Sequence, residues 1–237
     1  FLEKIFQGHP YGRPILGTPE TLANIDRQTF LEYVEENYQP GNLVLSIVGD
    51  VDSGQALAAA DKIFGPLPGK SLGNDSMPSV PKPDQPQEFT ILKDVQTAYL
   101  IIGYPTETVR GSTDEYALDV AASILGEGRS SWLYQLLKED LGLVTDAESF
   151  FWTLEHAGLF GLEAGCDPAD LPKVENILFE QLERLRRGEF TDADIQKAKN
   201  QITSDFAYST EKAASIAGTL AEFEITASIE DAVFYSD

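Results

Sequence analysis

The sequence predicts an α+β fold in which helices pack on one face of a mainly antiparallel sheet, preceded by part of a similar domain. The apolar fraction of 42% over 237 residues can fill real cores. A stretch rich in proline and glycine separates two patterned regions, and the second region has the predicted element order ββααββααα. We therefore expect a partial α/β domain at residues 1–65, a semi-rigid linker at 66–87, and a second domain at 88–237 that is truncated at its end.

The first region predicts a helix, a strand and a helix, after the remnant of an earlier helix. Phe1–Gln7 predicts the last turns of a helix already under way, because its apolar residues have helical spacing and no cap precedes them. The apolar run Leu43–Val48 predicts a strand, and a helix follows from an N-cap at Ser53 to Phe64, where Gly65-Pro66 stops it. The helix before the strand is predicted by an apolar face on Phe30, Leu31, Val34 and Tyr38.

The second region opens with two predicted strands and a helix. The strands, Phe89–Lys93 and Thr97–Tyr104, are rich in aromatic and β-branched residues. Ser112 and Glu115 have the spacing of a capping box, which predicts a helix from Thr113 to about Leu125.

The remainder of the chain predicts a helix, a strand pair and three further helices. The first helix runs from Ser130 to about Leu141. Two strands follow at about Ala147–Leu154 and Leu159–Gly165, joined through the tight segment His156-Ala157-Gly158. The last three helices are one over Asp170–Arg187 that Gly188 stops, one capped by Thr191, and one capped near Ser209 or Thr210.

The charge and the cysteine content exclude several classes of function. The chain has 17 basic and 39 acidic residues, a net charge of −22, which repels phosphate backbones and anionic membranes. We therefore expect neither nucleic acid nor a membrane as a partner. The single cysteine, Cys166, excludes an intrachain disulfide, and we expect it to be a buried small hydrophobe. Without a run of roughly 20 apolar residues, we expect a soluble protein, with a bacterial-type cytoplasm and periplasm both open.

Residues 9–18 are an unusual run of turn formers and aromatic residues, His-Pro-Tyr-Gly-Arg-Pro-Ile-Leu-Gly-Thr. Together with later matching positions, this run resembles the insulinase/pitrilysin family of zinc endopeptidases. Those positions are Ile25, Tyr38, Pro40, Asn42 and Val48-Gly49-Asp50-Val51 and, beyond the linker, Gly126–Ser131 with Leu133-Tyr134, Gly158-Leu159-Phe160 and Gly165-Cys166-Asp167-Pro168. The resemblance covers nearly the whole chain and implies a metallopeptidase-like domain without zinc, preceded by the end of the zinc-bearing domain.

The resemblance places the family's zinc chemistry outside this chain. Members bind zinc through a helical H-x-x-E-H motif and a distant second Glu, and these ligands all precede the helix that leads into His9. We therefore expect zinc in the parent protein, and no metal ligand or catalytic residue in this segment. Neither histidine is a good substitute. Trp152 stands where a motif ending in His156 would need its first histidine, and His9 is expected to pack or to hydrogen-bond.

Six residues are candidates for substrate binding. Family members often carry an Arg and, seven residues later, a Tyr, which together stabilise an oxyanion. Lys138 and Thr145 occupy these positions. Lysine lacks arginine's planar fork and threonine is shorter than tyrosine, so a solvated lysine and a strand threonine are the plainer interpretation. The glycine-rich turn is expected to contact a peptide or a neighbouring domain, since the lysine and spacing of a phosphate-binding loop are absent. The turn contributes Gly126, Gly128, Arg129 and Ser130.

The resemblance implies that this chain is the non-zinc-binding portion of a zinc-dependent metalloendopeptidase, inactive alone, which helps to form a substrate chamber. A peptide or unfolded protein would lie there as an added strand, beside Thr97–Gly103 or the turn Gly126–Ser131. The other expected partner is a zinc-bearing domain or partner subunit, in a homo- or heterodimer. The alternative is a catalytically inactive partner or scaffold subunit of a peptidase heterodimer.

Overall fold

The computed structural model of this protein describes residues 1–67, 69, 77–80, 83, 85–106 and 112–234. Within these residues the chain forms two compact units. The sheet unit combines residues 1–12 with 79–206, and the second unit combines residues 13–78 with those after 206. Half of the predicted linker, 66–87, lies outside the described residues, and the predicted domain boundaries stay a prediction.

The sheet unit is built on three antiparallel strands. They are β1 (Ala98–Thr106), β2 (Val144–Thr153) and β3 (Gly158–Cys166), in the order β1-β3-β2. β3 is therefore the central strand. β2 and β3 form the predicted hairpin, in which the Leu154 amide donates to the Ala157 carbonyl oxygen at 2.7 Å. Three of the four strands predicted for this region are thereby confirmed.

Two predicted strands are wrong. Phe89–Lys93 and Leu43–Val48 form no ladder with any described residue, although the backbone at Leu43 is extended. Leu92 is 92% exposed and Leu45 is 49% exposed. Aromatic and branched apolar residues favour a strand only where a neighbouring strand supplies the other half of the hydrogen bonds.

One face of the sheet carries the main hydrophobic core. Alternate residues of β3, Phe160, Leu162 and Ala164, belong to it, and Leu162 is fully buried. Helices α5 (Thr113–Gly126) and α6 (Leu171–Arg186) contact the sheet and contribute to this core. Because strand side chains alternate between faces, these β3 residues lie on the same face as the two helices. This confirms the predicted layer of helices on one face of an antiparallel sheet.

The opposite face of the sheet is covered at one end by the start of the chain. The short helix α1 (Leu2–Ile5) and the buried Phe6 pack with Leu159 of β3. Gly103 of β1 permits this approach, because a Cβ there would clash with two side chains of the N-terminal segment. A helix within the segment predicted to be helical, Phe1–Gln7, is confirmed by α1.

The helix boundaries of the sheet unit follow two predicted signals. α6 ends just before Gly188, which has a φ of +72°, a left-handed conformation that favours glycine. α7 (Asp192–Ser209) begins after Thr191, whose hydroxyl oxygen accepts a hydrogen bond from the Asp194 amide at 3.2 Å.

The predicted capping box of α5 is wrong. Ser112 makes no side-chain cap hydrogen bond, although its backbone carbonyl oxygen accepts from the Glu115 amide. The Glu115 carboxylate instead accepts a hydrogen bond from the Thr153 hydroxyl of β2 at 2.7 Å. A contact across the core thus replaces the local cap that the spacing predicted.

The second unit contains five α-helices among its described residues. The helix predicted from Phe30, Leu31, Val34 and Tyr38 is confirmed as α3. The helix predicted to end at Phe64 is also confirmed, but its predicted N-cap is wrong: Ser53 is the first helical residue, and the Asp52 carboxylate caps the helix by accepting from the Gln55 amide. The helix predicted to be capped near Ser209 or Thr210 instead begins after Lys212, which forms no side-chain cap. The five helices are α2 (Pro19–Ala23), α3 (Arg27–Asn37), α4 (Ser53–Phe64), α8 (Ala213–Thr226) and α9 (Ile229–Phe234).

Candidate functional site

The glycine-rich turn after α5 begins with a packing residue. A Cβ on Gly126 would lie 2.6 Å from the Glu148 carbonyl carbon and 2.7 Å from Ser149 Oγ, so only glycine fits where α5 approaches β2. The Ser149 hydroxyl also donates to the Ala122 carbonyl oxygen at 2.6 Å, which fixes the same contact. Gly126 therefore allows α5 to pack closely against β2, and this packing positions the turn.

The rest of the turn is held by hydrogen bonds within the protein. Gly128 has a φ of +73°, and nothing lies within 4 Å of the place a Cβ would take. The carbonyl oxygens of three consecutive turn residues accept hydrogen bonds from side chains. These bonds run from Ser131 Oγ to Gly128 (2.8 Å), from Gln135 Nε2 to Arg129 (2.7 Å), and from Lys197 Nζ to Ser130 (2.7 Å).

The helix predicted after the turn has π geometry over Tyr134–Asp140. The Leu141 amide donates to the Leu136 carbonyl oxygen, five residues earlier, at 3.1 Å. Such segments are frequent at functional sites because they change the direction of side chains. Lys138 lies in this segment, and its ammonium nitrogen is 5.1 Å from the centre of the Tyr134 ring.

Arg129 shares the Tyr134 ring with Lys138. Its guanidinium carbon lies 5.8 Å from the ring centre, and its Nη2 lies 4.0 Å from Glu139 Oε1. Two of the six predicted residues are thus brought together by a tyrosine that was not predicted as part of the site. Its spacing of four residues from Lys138 is the sequence signal that could have found it.

Trp132, directly after the turn, contacts two later helices. The guanidinium carbon of Arg184 in α6 lies 3.7 Å from the Trp132 ring centre. The indole Nε1 donates to Asp194 Oδ1 of α7 at 3.5 Å. Hydrogen bonds from Thr191, chiefly, and then from Trp132 lower the pKa of Asp194. The turn therefore has a fixed place on the helical layer.

Thr145 lies at a β-bulge, where the register of β2 and β3 shifts between Val144 and Asp146. Its hydroxyl oxygen is 2.6 Å from Asp146 Oδ1 and 3.2 Å from the Gly165 carbonyl oxygen. A hydroxyl has one proton to donate, and here that proton is used inside the protein. The hydrogen bonds of Thr145 among the described residues do not involve Lys138, so the structure does not join these two positions.

The run that begins at His9 forms an aromatic anchor for the N-terminal segment. His9 is buried, and its Nδ1 accepts from the Tyr11 amide at 3.2 Å. The ring centres of Phe6 and Tyr11 lie 6.0 and 4.7 Å from the imidazole. The Tyr11 phenol oxygen accepts from the His156 amide at 3.2 Å, and burial raises the pKa of Tyr11. The predicted packing and hydrogen-bonding role of His9 is confirmed.

The second face of the sheet carries two facing carboxylates. Glu148 of β2 and Glu163 of β3 are register partners. Burial, followed by the charges of Glu148 and Asp146, raises the pKa of Glu163. Like charges directly opposite on neighbouring strands destabilise a sheet, so this pair opposes folding at neutral pH.

The described residues do not fit a zinc site. Among them no group of three or more His, Cys, Asp and Glu side chains could hold a metal ion, whereas protein zinc sites use at least three such ligands. Cys166 is buried as predicted, and burial raises the pKa of its thiol. Over the same described residues, the helices are each too short or too polar to cross a membrane.

Comparison with known proteins gives the family. A family model described as "Peptidase M16 inactive domain" matches residues 24–202. "Zinc protease PqqE" of Helicobacter pylori is 28% identical over 241 residues, which cover 99% of this chain and 54% of that protein. "Uncharacterized zinc protease YmxG" of Bacillus subtilis is 28% identical over 207 residues, which cover 87% of this chain and 49% of that protein. The chain thus spans about half the length of the curated relatives it matches.

A solved structure has the same fold. The peptidase M16 inactive domain from Pseudomonas fluorescens matches with a TM-score of 0.83, over 99% of this chain and 56% of that chain. Its 19% identity shows the fold alone. Because the family model matches more than half of the residues, this chain belongs to the insulinase/pitrilysin-type M16 peptidase family, as a segment that contains the family's inactive domain.

Proposed function

We propose that this chain is the non-zinc-binding portion of a zinc-dependent metalloendopeptidase and helps to form the chamber that holds a peptide substrate. The observation that carries the proposal is the match of residues 24–202 to the M16 inactive domain. The zinc-protease names of the curated relatives support it. The described residues lack a zinc donor set, so the proposal gives zinc and catalysis to the parent protein.

The two edge strands of the sheet, β1 and β2, support the proposal. β1 and β2 each pair only with β3 among the described strands. An extended peptide binds such an edge through main-chain hydrogen bonds, which give affinity with loose sequence demands. The proposed contact surfaces are Thr97–Gly103 at β1, where Tyr99 is 73% exposed, and the turn Gly126–Ser131.

No residue of this segment is proposed to be catalytic. Zinc in the parent protein would activate the attacking water. Lys138 offers a cation near the substrate, whereas the Thr145 proton is already used by Asp146 and Gly165. Donors to the oxyanion are therefore proposed to come from another part of the parent.

A second candidate function is a catalytically inactive partner or scaffold subunit in a peptidase heterodimer. The internal hydrogen bonds of Thr145, at the position where active relatives often have a tyrosine, favour this alternative. In either case the proposed partner is a zinc-bearing domain or subunit, in a homo- or heterodimer.

The parent protein decides between the two functions. Its sequence should contain H-x-x-E-H before the segment, and the purified protein should contain zinc and cleave a quenched peptide library. A parent without that motif would exclude the peptidase function and leave the scaffold.

Peptide binding is tested on the chain itself by hydrogen–deuterium exchange with a tenfold excess of an unfolded peptide. Amides of Thr97–Gly103 and of Gly126–Ser131 should exchange more slowly with peptide than without it. Unchanged exchange in both segments at saturating peptide would contradict the proposed binding surface.

A further inference from the structure

Two cations of different elements meet on one aromatic ring beside the proposed peptide surface. Arg129 comes from the glycine-rich turn, and Lys138 comes from the π-helix. Their charged groups lie 5.8 and 5.1 Å from the centre of the Tyr134 ring. The ring attracts both cations and so lowers the cost of holding two like charges within about 11 Å of each other. A π-helix, rather than an α-helix, sets the direction of Lys138.

The turn presents a cation to a ligand, but it presents few free backbone hydrogen-bond acceptors. The carbonyl oxygens of three consecutive turn residues, 128–130, already accept side-chain hydrogen bonds. The Arg129 side chain is 84% exposed, so its guanidinium is accessible. The exposed guanidinium therefore suits a ligand group that accepts hydrogen bonds and carries negative charge.

The nearby carboxylate shows what kind of group the two cations attract. Glu139 Oε1 lies 4.0 Å from the Arg129 guanidinium, at the long end of ion-pair distances, and both side chains are exposed. No ion pair of Lys138 occurs among the described residues. The chain has a net charge of −22, yet among the described residues only the Glu139 carboxylate lies within ion-pair distance of either cation.

We propose that Arg129 and Lys138, assembled on Tyr134, bind a carboxylate of the peptide, either its C-terminus or an acidic side chain. The inference rests on the proposed peptide-binding function and names the chemical group that this surface selects. The Arg129 fork can take both oxygens of one carboxylate, and Lys138 adds a point charge. Exposed ion pairs are weak and screened by salt, so the site adjusts affinity by about three- to tenfold.

The test uses the 237-residue chain and three fluorescent peptides of one neutral ten-residue sequence. The first peptide has a free C-terminal carboxylate, the second is its C-terminal amide, and the third is the amide with one internal Glu. Fluorescence anisotropy at low salt should give about three- to tenfold tighter binding for the first or third peptide than for the plain amide. High salt should remove the difference. The peptide that binds more tightly than the plain amide identifies the source of the carboxylate.

Four variants attribute the gain to the site. Arg129→Gln and Lys138→Met should each abolish the preference for the carboxylate peptides over the plain amide. Glu139→Gln removes the internal competitor and should increase the preference. Lys173→Met is the matched control, because it removes one exposed positive charge from the first turn of α6, and it should change nothing. Circular dichroism of each variant confirms folding.

Equal binding of all three peptides would overturn the carboxylate site and leave the peptide-binding function standing. The carboxylate site would also be overturned if Lys173→Met lowers the preference as much as Lys138→Met, because the effect would then be one of net charge. Absence of binding for every peptide would overturn the proposed binding function together with this inference.

Discussion

Replacing Gly126 with alanine should destabilise the sheet unit by about 2 kcal/mol. The new methyl group would lie 2.6 Å from the Glu148 carbonyl carbon, well inside the usual contact distance of about 3.5–4 Å. Overpacking a core costs about 1–3 kcal/mol, and the upper part of this range applies because the obstacle is backbone. The alanine returns about 0.5–1 kcal/mol, since glycine loses more entropy on folding.

The assay is urea unfolding followed by tryptophan fluorescence. Both tryptophans, Trp132 and Trp152, lie in the sheet unit, so the signal reports on that unit. The matched control is Gly128→Ala in the same turn, where space is open but φ is +73°. That conformation costs about 1–2 kcal/mol, and a stiffer unfolded chain offsets about 0.4–1 kcal/mol. A Gly126→Ala protein as stable as wild type, or more stable than Gly128→Ala, would refute the packing role of Gly126.

Three further predictions concern single polar groups. Tyr11→Phe should cost about 0.5–1 kcal/mol and speed hydrogen exchange at the His156 amide, and unchanged exchange there would contradict the anchor. Glu163→Gln should stabilise the chain at pH 7 by roughly 0.2–1 kcal/mol, because it removes a charge opposite Glu148. Because the pKa of Glu163 is raised in the folded state, wild-type protein takes up this proton and loses the unfavourable charge as the pH falls through that pKa. The stability advantage of Glu163→Gln over wild type should therefore vanish at low pH. A difference in melting temperature between variant and wild type that stays constant from pH 8 to pH 4 would disprove the repulsion. Asp194→Ala should lower the free energy of unfolding in urea by about 1 kcal/mol at pH 7. Because the pKa of Asp194 is lowered in the folded state, this loss should shrink as acid protonates the wild-type carboxylate. An equal loss at pH 3 would show that the charge of Asp194 does not stabilise the fold.

Local sequence signals predicted much of the fold. The hairpin of β2 and β3 was predicted with the tight segment His156-Ala157-Gly158 between its strands, and Gly188 was predicted to end α6, where it has a left-handed conformation. The segments Leu43–Val48 and Phe89–Lys93 have strand composition, but composition does not show whether a partner strand is present. A ladder requires two paired segments, so the composition of one segment cannot show that a ladder forms.

The sequence names candidate residues for the site, but it says little about their geometry. The four-residue spacing of Tyr134 and Lys138 could have predicted their contact, whereas the contact of Arg129 with the same ring depends on how the turn folds. The role of Gly126 depends on β2, more than twenty residues later. For Thr145, the resemblance identified the position, but only the hydrogen bonds at the bulge show that its hydroxyl is used inside the protein.

As the proposed non-zinc portion of a peptidase, this chain should perform no hydrolysis of its own. The most direct measurement incubates the purified 237-residue chain with zinc and a quenched fluorescent peptide library. We expect fluorescence no greater than in peptide with zinc alone. Zinc-dependent cleavage that remains with the chain through successive purification steps and stops on chelation would contradict the proposal.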